Sequence, residues 1–284
     1  MTLQPTLEET RQTSWAVWQA MAPGWDRKAN FIWDASRVVG EWLVAKLDPR
    51  PGQIVLELAA GSGDTGFLAA RLIGKTGRLI STDFSPEMVE VARRRAKEIG
   101  ITNADFRVLD AERNDLDADS VDGVLCRWGY MLMVDPEAAL VQTRRVLRPG
   151  GRLALSVWST PAENLWASLV PQVLVGRGLM AAIDPESPGS IFSLARPDRL
   201  HELLLGAGFA SIEIENLDCH WRFIDFDEYW AFLMELAGAV SVFLVGLSSA
   251  QRDVVRQAVQ ETAEPFRSKD GYDFPGRTIN VSAS

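Results

Sequence analysis

The sequence predicts an α/β fold built on one doubly wound, mainly parallel sheet, and three observations predict it. Short apolar segments alternate with amphipathic helical segments between residues 53 and 158. A glycine-rich turn follows the first apolar segment. An acidic residue lies at or just beyond the end of each of the first three apolar segments. Alternation of this kind is typical of right-handed βαβ units, whose ligands bind at the C-terminal ends of the strands.

Seven segments have the apolar or alternating pattern of strands. They comprise residues 53–58, 78–82, 105–109, 121–126, 152–158, 211–223 and 276–283. Helical patterns cover residues 15–47, with a break at Ala22-Pro23-Gly24, and then 64–73, 86–98, 136–147 and 197–205. The clearest helix start has Ser85 as N-cap and Pro86 as the first helical residue.

Two further segments interrupt the second half of this order. Residues 161–190 hold two apolar helical pieces, and residues 226–267 form a helical insert. We expect both to cover the C-terminal edge of the sheet, with a dimer face as the alternative. The predicted organisation is a helical cap (1–50), an α/β core (51–160), a cover insertion (161–195), a core continuation (196–225), a helical cover insertion (226–275) and a last core strand (276–284).

Composition narrows the class of protein. A formal net charge of -9 argues against a general nucleic-acid binder, because phosphate binding needs a basic face. Two cysteines and a polar stretch at residues 1–13 predict a cytoplasmic protein without a signal peptide. The apolar stretch 231–247 contains Glu235 and is shorter than the roughly 20 residues of a membrane span. Contact with a membrane surface, and a monomer or a homodimer, remain open.

The glycine-rich turn is the first functional signal. Gly61, Gly63 and Gly66 match the pattern G-x-G-x-x-G, in which glycine lets the backbone approach a ligand at a helix N-terminus. The pattern alone is weak evidence, since a tight turn between a strand and a helix also explains it.

Three carboxylates distinguish between the possible ligands. Glu57 lies just before the turn, where a negative charge repels a pyrophosphate and suits a cationic amino acid. Asp83 is placed to bind a ribose diol, and Asp110 follows the third strand, where it can bind an adenine amino group. Together these residues favour S-adenosylmethionine over a dinucleotide.

At these residues the chain resembles the class I S-adenosylmethionine-dependent methyltransferases, in particular their ubiquinone/menaquinone-biosynthesis-like group. The resemblance rests on motifs between residues 25 and 158: Trp25-Asp26, Glu57-Leu58-Ala59-Ala60-Gly61-Ser62-Gly63, Asp83-Phe84-Ser85-Pro86-Glu87-Met88, Asp110-Ala111-Glu112, Cys126-Arg127-Trp128-Gly129-Tyr130 and Leu147-Arg148-Pro149-Gly150-Gly151. It implies a Rossmann-like, mostly parallel seven-stranded sheet with an antiparallel last strand and helical cover insertions.

The resemblance also implies a set of cofactor-binding residues. The loop and the residues near it would contact the methionine moiety, and Asp83 would contact the ribose. The residues after strands two and three would contact the adenine, and Trp25 would close over the cofactor. The set comprises Trp25, Glu57, Ala59, Gly61, Ser62, Gly63, Asp83, Phe84, Met88, Asp110, Ala111, Glu112 and Arg127. Core packing is the alternative for Trp25, Phe84 and Met88.

Methyl transfer to a nucleophile requires alignment and exclusion of water more than a dedicated base. The chain has two histidines, of which His201 fits a helix surface and His220 is a possible base. Since Cys219 and His220 are adjacent and no metal-ligand spacing occurs, we expect no metal. The catalytic residue is left undetermined.

Ten tryptophans suggest where the methyl acceptor binds. Trp128, Tyr130 and Trp158 follow strands four and five and are candidates for an acceptor pocket, with core filling as the alternative. The sequence therefore predicts a methyltransferase that acts on a small aromatic or lipophilic acceptor and releases S-adenosylhomocysteine. The alternatives are an NAD-dependent oxidoreductase and a non-catalytic S-adenosylmethionine-binding protein.

Overall fold

Eight strands form one mixed sheet in the computed structural model, which describes residues 6–236 and 238–284. The strands are β1 (Ile54–Glu57), β2 (Arg78–Asp83), β3 (Ala104–Val108), β4 (Val121–Arg127), β5 (Leu147–Trp158), β6 (Ile212–Phe223), β7 (Arg267–Ser268) and β8 (Gly271–Ala283). Their order is β3-β2-β1-β4-β5-β8-β6, with the two-residue β7 paired to β8. The strands from β1 to β5 pair in parallel, while β8 runs antiparallel to β5 and β6. The predicted doubly wound sheet with an antiparallel last strand is confirmed.

Nine α-helices surround this sheet in the described part of the chain. They are α1 (Leu7–Leu47), α2 (Asp64–Ile73), α3 (Pro86–Glu98), α4 (Pro136–Val146), α5 (Leu165–Gly176), α6 (Pro197–Gly206), α7 (Phe226–Leu236), α8 (Ala239–Gly246) and α9 (Ser249–Ala263). Short 3-10 turns lie at Ala111–Arg113, Tyr130–Leu132, Pro161–Glu163 and Glu264–Phe266.

The strand order reverses between β1 and β4, and this reversal positions the site. From β1 the chain proceeds outward to β2 and β3, and from β4 it proceeds the other way to β5. Because these crossovers are right-handed, α2 and α3 lie on one face and α4 on the other. Helix α1 packs against α2 and α3, whereas α6 packs against α4. The loops after β1 and β4 therefore separate and leave a crevice at the C-terminal edge.

Helix α1 differs from its prediction because it is continuous. It begins at Leu7, after Thr6 and Glu9 form a capping box, and it does not break at Ala22-Pro23-Gly24. The predicted break was wrong because the exposed Pro23 lies between Ala22 and Gly24, both of which are buried. A Cβ at Gly24 would lie 3.1 Å from Leu236 Cδ2, so packing against α7 holds the helix through the proline.

The cover segments also differ in part. Residues 161–190, predicted to hold two helical pieces, contain one α-helix, α5, which follows the 3-10 turn Pro161–Glu163. The residues after α5 form turns and irregular segments, in keeping with Gly178, Pro188 and Gly189. Strand β8 begins at Gly271, five residues before its predicted start at Gly276. Residues 1–5 of the predicted cap, and Ala237 within the predicted cover insertion, lie outside the described residues.

No single helix within residues 6–236 and 238–284 has both the length and the apolar character needed to cross a membrane. The helical stretches Phe226–Leu236 and Val240–Gly246 reach that length only together, and they bend by 101° at their junction.

We expect Phe274→Ala to destabilise the fold strongly. Phe274 is fully buried on β8, with its ring centroid 4.4 Å from that of Tyr229 and 4.9 Å from that of Phe266. Truncating such a side chain removes about 3–5 kcal/mol from the free energy of unfolding. Urea unfolding measures this, with Ile224→Ala, at an exposed position, as the matched control that changes it little. Equal effects of the two substitutions would contradict the described core.

Candidate functional site

A pocket lies at the C-terminal edge of the sheet, where the loops after β1 and β4 separate. Its walls come from these loops, from those after β2 and β3, and from the N-terminal half of α1. The lining residues are Arg11, Ser14, Trp18, Trp25, Ala59, Ala60, Gly61, Asp83, Phe84, Met88, Leu109, Asp110, Ala111, Glu112, Arg127, Trp128, Gly129, Leu132, Met133 and Val134.

Most of the residues predicted to bind the cofactor line this pocket. They are Trp25, Ala59, Gly61, Asp83, Phe84, Met88, Asp110, Ala111, Glu112 and Arg127. Glu57, Ser62 and Gly63 do not line it. All three are buried, Glu57 beneath the loop and Ser62 and Gly63 within it, and the hydroxyl of Ser62 donates to Asp64 at 2.7 Å. These three residues therefore shape the loop from below.

The loop needs glycine at three positions for different reasons. Gly61 and Gly63 have φ of 55° and 84°, a conformation that favours glycine. A Cβ on Gly63 would lie 2.4 Å from the ring of Phe67, and a Cβ on Gly66 would lie 2.1 Å from Glu57 Oε2. Gly61 faces the pocket, where the ring of Trp25 lies 3.9 Å from the position of a Cβ. Gly61 therefore faces the pocket, whereas Gly63 and Gly66 must be glycine because their surroundings leave no room for a side chain.

Glu57 is the buried acid that holds the loop in place. Its Oε1 accepts a hydrogen bond from the backbone N–H of Gly66 at 2.6 Å, and its Oε2 accepts one from the hydroxyl of Ser81 at 3.0 Å. Burial raises the pKa of Glu57 to about 8, although these hydrogen bonds and the nearby charge of Arg127 oppose the shift. The predicted support of the cofactor amine by Glu57 would therefore act through the loop, because Glu57 does not line the pocket.

Asp83 links the loop to the end of β2. Its Oδ2 accepts from the backbone N–H of Gly61 at 2.9 Å, and its Oδ1 accepts from that of Ser85 at 3.0 Å. Burial raises the pKa of Asp83, and the backbone donors oppose that shift. A carboxylate that lines the pocket here can also accept from a vicinal diol, which is the role that its position at the end of β2 predicts.

The end of β3 is tied to α1 through Arg11. Its guanidinium forms an ion pair with Glu112, and its Nε lies 3.7 Å from Asp110 Oδ2. Glu112 also accepts from the backbone N–H of Val134 at 2.8 Å. Glu112 is therefore engaged by protein groups through both oxygens. Asp110 Oδ1 accepts from the backbone N–H of Glu112 at 2.9 Å, so Asp110 Oδ2 and the backbone of Ala111 are the polar groups that can meet an adenine edge.

The N-terminal half of α1 forms the roof of the pocket. Arg11, Ser14 and Trp18 lie on its pocket-facing side, and the ring centroids of Trp18 and Trp25 are 5.8 Å apart. Sequence reasoning missed Arg11, Ser14 and Trp18. Their spacing of three and four residues, after the Thr-x-x-Glu capping signature at Thr6, would have found them.

Arg127 lies at the end of β4 with an incomplete set of partners. Its Nε donates to Thr65 Oγ1 at 3.0 Å, whereas its buried Nη1 has no hydrogen-bond partner among the described residues. Burial lowers the pKa of Arg127, and the charges of Asp64 and Glu57 oppose the shift. A buried guanidinium N–H without an acceptor fits an anionic ligand group, such as the methionine carboxylate of the predicted cofactor.

Four tryptophans pack beside the pocket and are called the tryptophan cluster: Trp128, Trp158, Trp166 and Trp221. Trp128 lines the pocket and stacks on Trp158, with ring centroids 4.1 Å apart. Trp166 stacks on Trp221 at 4.4 Å. Of the candidates Trp128 and Trp158 for an acceptor pocket, Trp128 lines the pocket, whereas Trp158 is buried behind it and does not line it.

Tyr130 does not join them. It is fully buried, and its hydroxyl lies 2.5 Å from Thr143 Oγ1 on α4, so this ring packs in the core against α4. The prediction that Tyr130 lines an acceptor pocket is therefore corrected.

The two histidines lie away from the pocket lining. His201 is exposed on α6, and His220 Nδ1 lies 2.7 Å from Asp273 Oδ1 on an exposed part of β6 and β8. Within the described ranges 6–236 and 238–284, no group of three or more His, Cys, Asp or Glu side chains is arranged to hold a metal ion.

Comparison with known proteins gives a consistent result. Residues 49–173 match the family model of a methyltransferase domain. A ubiquinone/menaquinone biosynthesis C-methyltransferase, UbiE of Hydrogenovibrio crunogenus, is 33% identical over 177 residues, which are 59% of this chain and 70% of that protein.

Two solved structures share the architecture over nearly the whole chain. One is phosphoethanolamine N-methyltransferase 2 of Haemonchus contortus, solved with S-adenosylhomocysteine and phosphomonomethylethanolamine, with a TM-score of 0.58 and 17% identity over 99% of this chain and 61% of that one. The other is the [4+2]-cyclase SpnF, with a TM-score of 0.57 and 16% identity over 100% of this chain and 98% of that one. At these identities the two structures establish the fold.

We expect the charge of Glu57 to make stability depend on pH. The pKa is raised from 4.5 to about 8 on folding, so the folded chain keeps a proton that the unfolded chain loses between these values. The contribution to stability is therefore fully present below pH 4.5 and is lost as the pH rises through 8.

The measurement compares the wild type with Glu57→Gln, which has no such proton. From pH 4.5 to pH 9 the free energy of unfolding of the wild type, relative to that of the variant, should fall by up to about 5 kcal/mol. Urea unfolding at a series of pH values gives this difference. A difference that does not change with pH would show that the carboxyl group titrates normally in the folded state.

Proposed function

We propose that this chain, which belongs to the family of S-adenosylmethionine-dependent methyltransferases, transfers a methyl group to a small aromatic or lipophilic acceptor. The observation that carries the proposal is the position of Trp128. Its ring forms part of the wall of the cofactor pocket and also belongs to the tryptophan cluster. An acceptor placed against this ring would lie next to the pocket, on a surface suited to a flat apolar molecule.

We propose the following roles in holding the cofactor. Asp83 accepts hydrogen bonds from the ribose hydroxyls, and Asp110 with the backbone of Ala111 holds the adenine edge. Phe84 and Met88 flank the adenine. Ala59 and Gly61 provide close backbone approach to the methionine moiety.

Arg127 completes this proposal at the methionine end. Its unpaired Nη1 would donate to the carboxylate of the methionine moiety, beside Thr65 at the start of α2. The N-terminus of that helix adds a partial positive charge at the same place. Glu57, Ser62 and Gly63 act indirectly in this account, by fixing the path of the loop.

When bound, S-adenosylmethionine supplies a methyl carbon that the positive sulfur activates towards a nucleophile. The residues of the chain align the acceptor and exclude water: Trp18 and Trp25 cover the pocket, and the ion pair of Arg11 with Glu112 fastens that cover. The pocket carboxylates Asp83, Asp110 and Glu112 each already accept a hydrogen bond from a backbone N–H group. We therefore propose catalysis by alignment of an acceptor that is itself nucleophilic.

A cytoplasmic enzyme, monomeric or homodimeric, is part of this proposal. Its support is that both cysteines, Cys126 and Cys219, are free and buried.

Two measurements test the proposed function. Calorimetry with S-adenosylhomocysteine and with NAD should show binding of the first, and tight binding of NAD alone would support an oxidoreductase. A screen of aromatic and lipophilic acceptors should then release S-adenosylhomocysteine from S-adenosylmethionine. Cofactor binding without any release across the screen would favour a non-catalytic binding protein.

We expect Asp83→Ala to weaken binding of S-adenosylhomocysteine by about 10- to 100-fold, since hydrogen bonds to a charged group contribute about 1.5–3 kcal/mol. Calorimetry gives the dissociation constants, with His201→Ala, on the exposed side of α6, as the matched control of unchanged affinity. Equal affinities of the two variants would show that Asp83 does not contribute to binding of S-adenosylhomocysteine.

Arg127→Met tests the proposed carboxylate contact. The variant should bind S-adenosylhomocysteine at least about tenfold more weakly, because a charge-assisted hydrogen bond is lost. It should bind 5′-methylthioadenosine, which lacks the amino acid portion, as the wild type does. Arg71→Met, at an exposed position on α2, serves as the control. If the variant lost affinity for both ligands equally, Arg127 would act on the adenosine portion or on the loop instead.

A further inference from the structure

Strand β3 forms one end of the sheet and presents an open row of backbone groups. Among the described strands it pairs with β2 alone, and it also packs against α3. The C=O of Asn103 and the N–H of Leu109 form hydrogen bonds with β2. Since these directions alternate along a strand, the N–H and C=O groups of Ala104, Phe106 and Val108 point away from the sheet. An edge of this kind is a template for a further strand.

The side chains of β3 place apolar groups on one face and charged groups on the other. Ala104, Phe106 and Val108 alternate with Asp105 and Arg107. Phe106 is half-buried, and the side chain of Val108 is 56% exposed. Proteins usually protect an open edge with charges, proline or a covering segment, because an apolar stripe there invites pairing. The apolar face of β3 therefore fits burial against a partner strand.

The opposite edge of the sheet shows such protection. On β6, Glu213 and Glu215 both pair with Lys46 of α1, at 2.9 Å and 2.7 Å. Further along the same strand, Asp218 pairs with Arg277 at 2.7 Å. These engaged charges make β6 a poor template for another strand. The edge that suits a partner is thus β3.

The charges of β3 select one register for pairing with a second copy of the chain. In an antiparallel pair centred on Phe106, Asp105 faces the partner's Arg107, and Arg107 faces the partner's Asp105. The nearest registers that keep the same backbone groups paired place Asp105 opposite Asp105 or Arg107 opposite Arg107, where like charges repel. The segment Asp105-Phe106-Arg107 is therefore complementary to itself about a two-fold axis.

The same register also uses the open backbone groups. Phe106 faces its own copy as a hydrogen-bonded pair, and Ala104 with Val108 forms two further pairs of that kind. Arg93 Nη2 donates to Phe106 O at 3.2 Å, which agrees with a carbonyl that points away from β2. A carbonyl oxygen has two lone pairs, so it can accept from the partner strand as well. Charged residues then lie in the non-hydrogen-bonded pairs, where opposite side chains are closest.

The surroundings of β3 leave room for this contact and a charge to fill. Grooves lie on both sides of the strand, one lined by Lys97 and Phe106 and the other by Arg78 and Asp105, among other residues. Arg78 forms an ion pair with Asp105, whereas Arg107 Nη2 lies 3.9 Å from the same carboxylate. Both contacts are to Oδ2. Asp105 Oδ1 can therefore accept from the partner's Arg107.

We propose that two copies of this chain associate through antiparallel pairing of their β3 strands about Phe106, which joins the two sheets into one. The occupant of the open edge is thus a second copy of the chain. This inference goes beyond the proposed methyltransferase activity and does not depend on it. Because a five-residue strand gives a small interface, we expect a dissociation constant of the order of micromolar.

Sedimentation velocity of the full chain between about 1 and about 200 µM tests the association, and it should show a monomer–dimer equilibrium. Val108→Pro removes an N–H that points away from β2, so the strand keeps its place in its own sheet. The dimer should weaken at least about tenfold, since two hydrogen bonds are lost by symmetry. Val108→Thr keeps the N–H and the branched shape, and it serves as the matched control. Circular dichroism shows whether both variants fold.

Charge reversal tests the register. In Asp105→Arg alone, and in Arg107→Asp alone, like charges face each other in the dimer, which should weaken at least about tenfold. When the two variants are mixed in equal amounts, opposite charges face each other again. The mixture should therefore associate at least about tenfold more tightly than either variant alone.

A second face of the molecule provides the alternative dimer contact. Val242 is 67% exposed on α8, within the cover, and Val242→Asp should leave the dimer unchanged. Loss of the dimer in Val242→Asp would assign the contact to the cover and overturn the inference. A chain that stays monomeric at the highest concentration, a dimer that Val108→Pro leaves unchanged, or a mixture that associates no better than its components would also overturn it.

Discussion

The buried carboxyl group of Glu57 is the contact on which the rest of the site depends. It joins the end of β1 to the first turn of α2 through Gly66 and to β2 through Ser81. Because the carboxyl group occupies the place of a side chain at Gly66, the helix can begin directly above the strand. The loop above it then presents Gly61 to the pocket, and Asp83 fastens that loop from the neighbouring strand. A carboxyl group held away from water is thus a structural support for a binding surface that it does not itself line.

A second constraint is the length of α1, which joins the sheet to the cover of the pocket. Near its C-terminal end, Lys46 pairs with Glu213 and Glu215 on the edge strand β6, at 2.9 Å and 2.7 Å. Near its N-terminal end, Arg11 pairs with Glu112 beyond β3. One helix therefore connects the cover of the pocket to the opposite edge of the same sheet.

Local signals in the sequence were sufficient for most of the core and for most of the pocket lining. Asp83 and Asp110 lie at one edge of the sheet because parallel strands present their C-terminal ends together. The start of α3 was predictable because Ser85 and Pro86 act through the local backbone alone. The remaining features depend on contacts between distant segments. The helix around Pro23 continues because α7 packs against Gly24, and Glu112 turns to Arg11, about a hundred residues earlier in the chain. Neither contact leaves a periodic trace in the sequence.

The fold does not determine the reaction, since a [4+2]-cyclase shares this architecture over nearly its whole length. Proteins that share a fold differ in function through the side chains that each retains although they lower the stability of the folded state. Here several such groups lie at or beside one pocket: Glu57 has a raised pKa, Trp128 has a positive φ, and Arg127 and Trp128 have buried N–H groups with no acceptor among the described residues. A chain selected only for stability would have replaced such groups by apolar ones of similar size. Their retention beside one pocket supports the proposal that the pocket binds a charged cofactor.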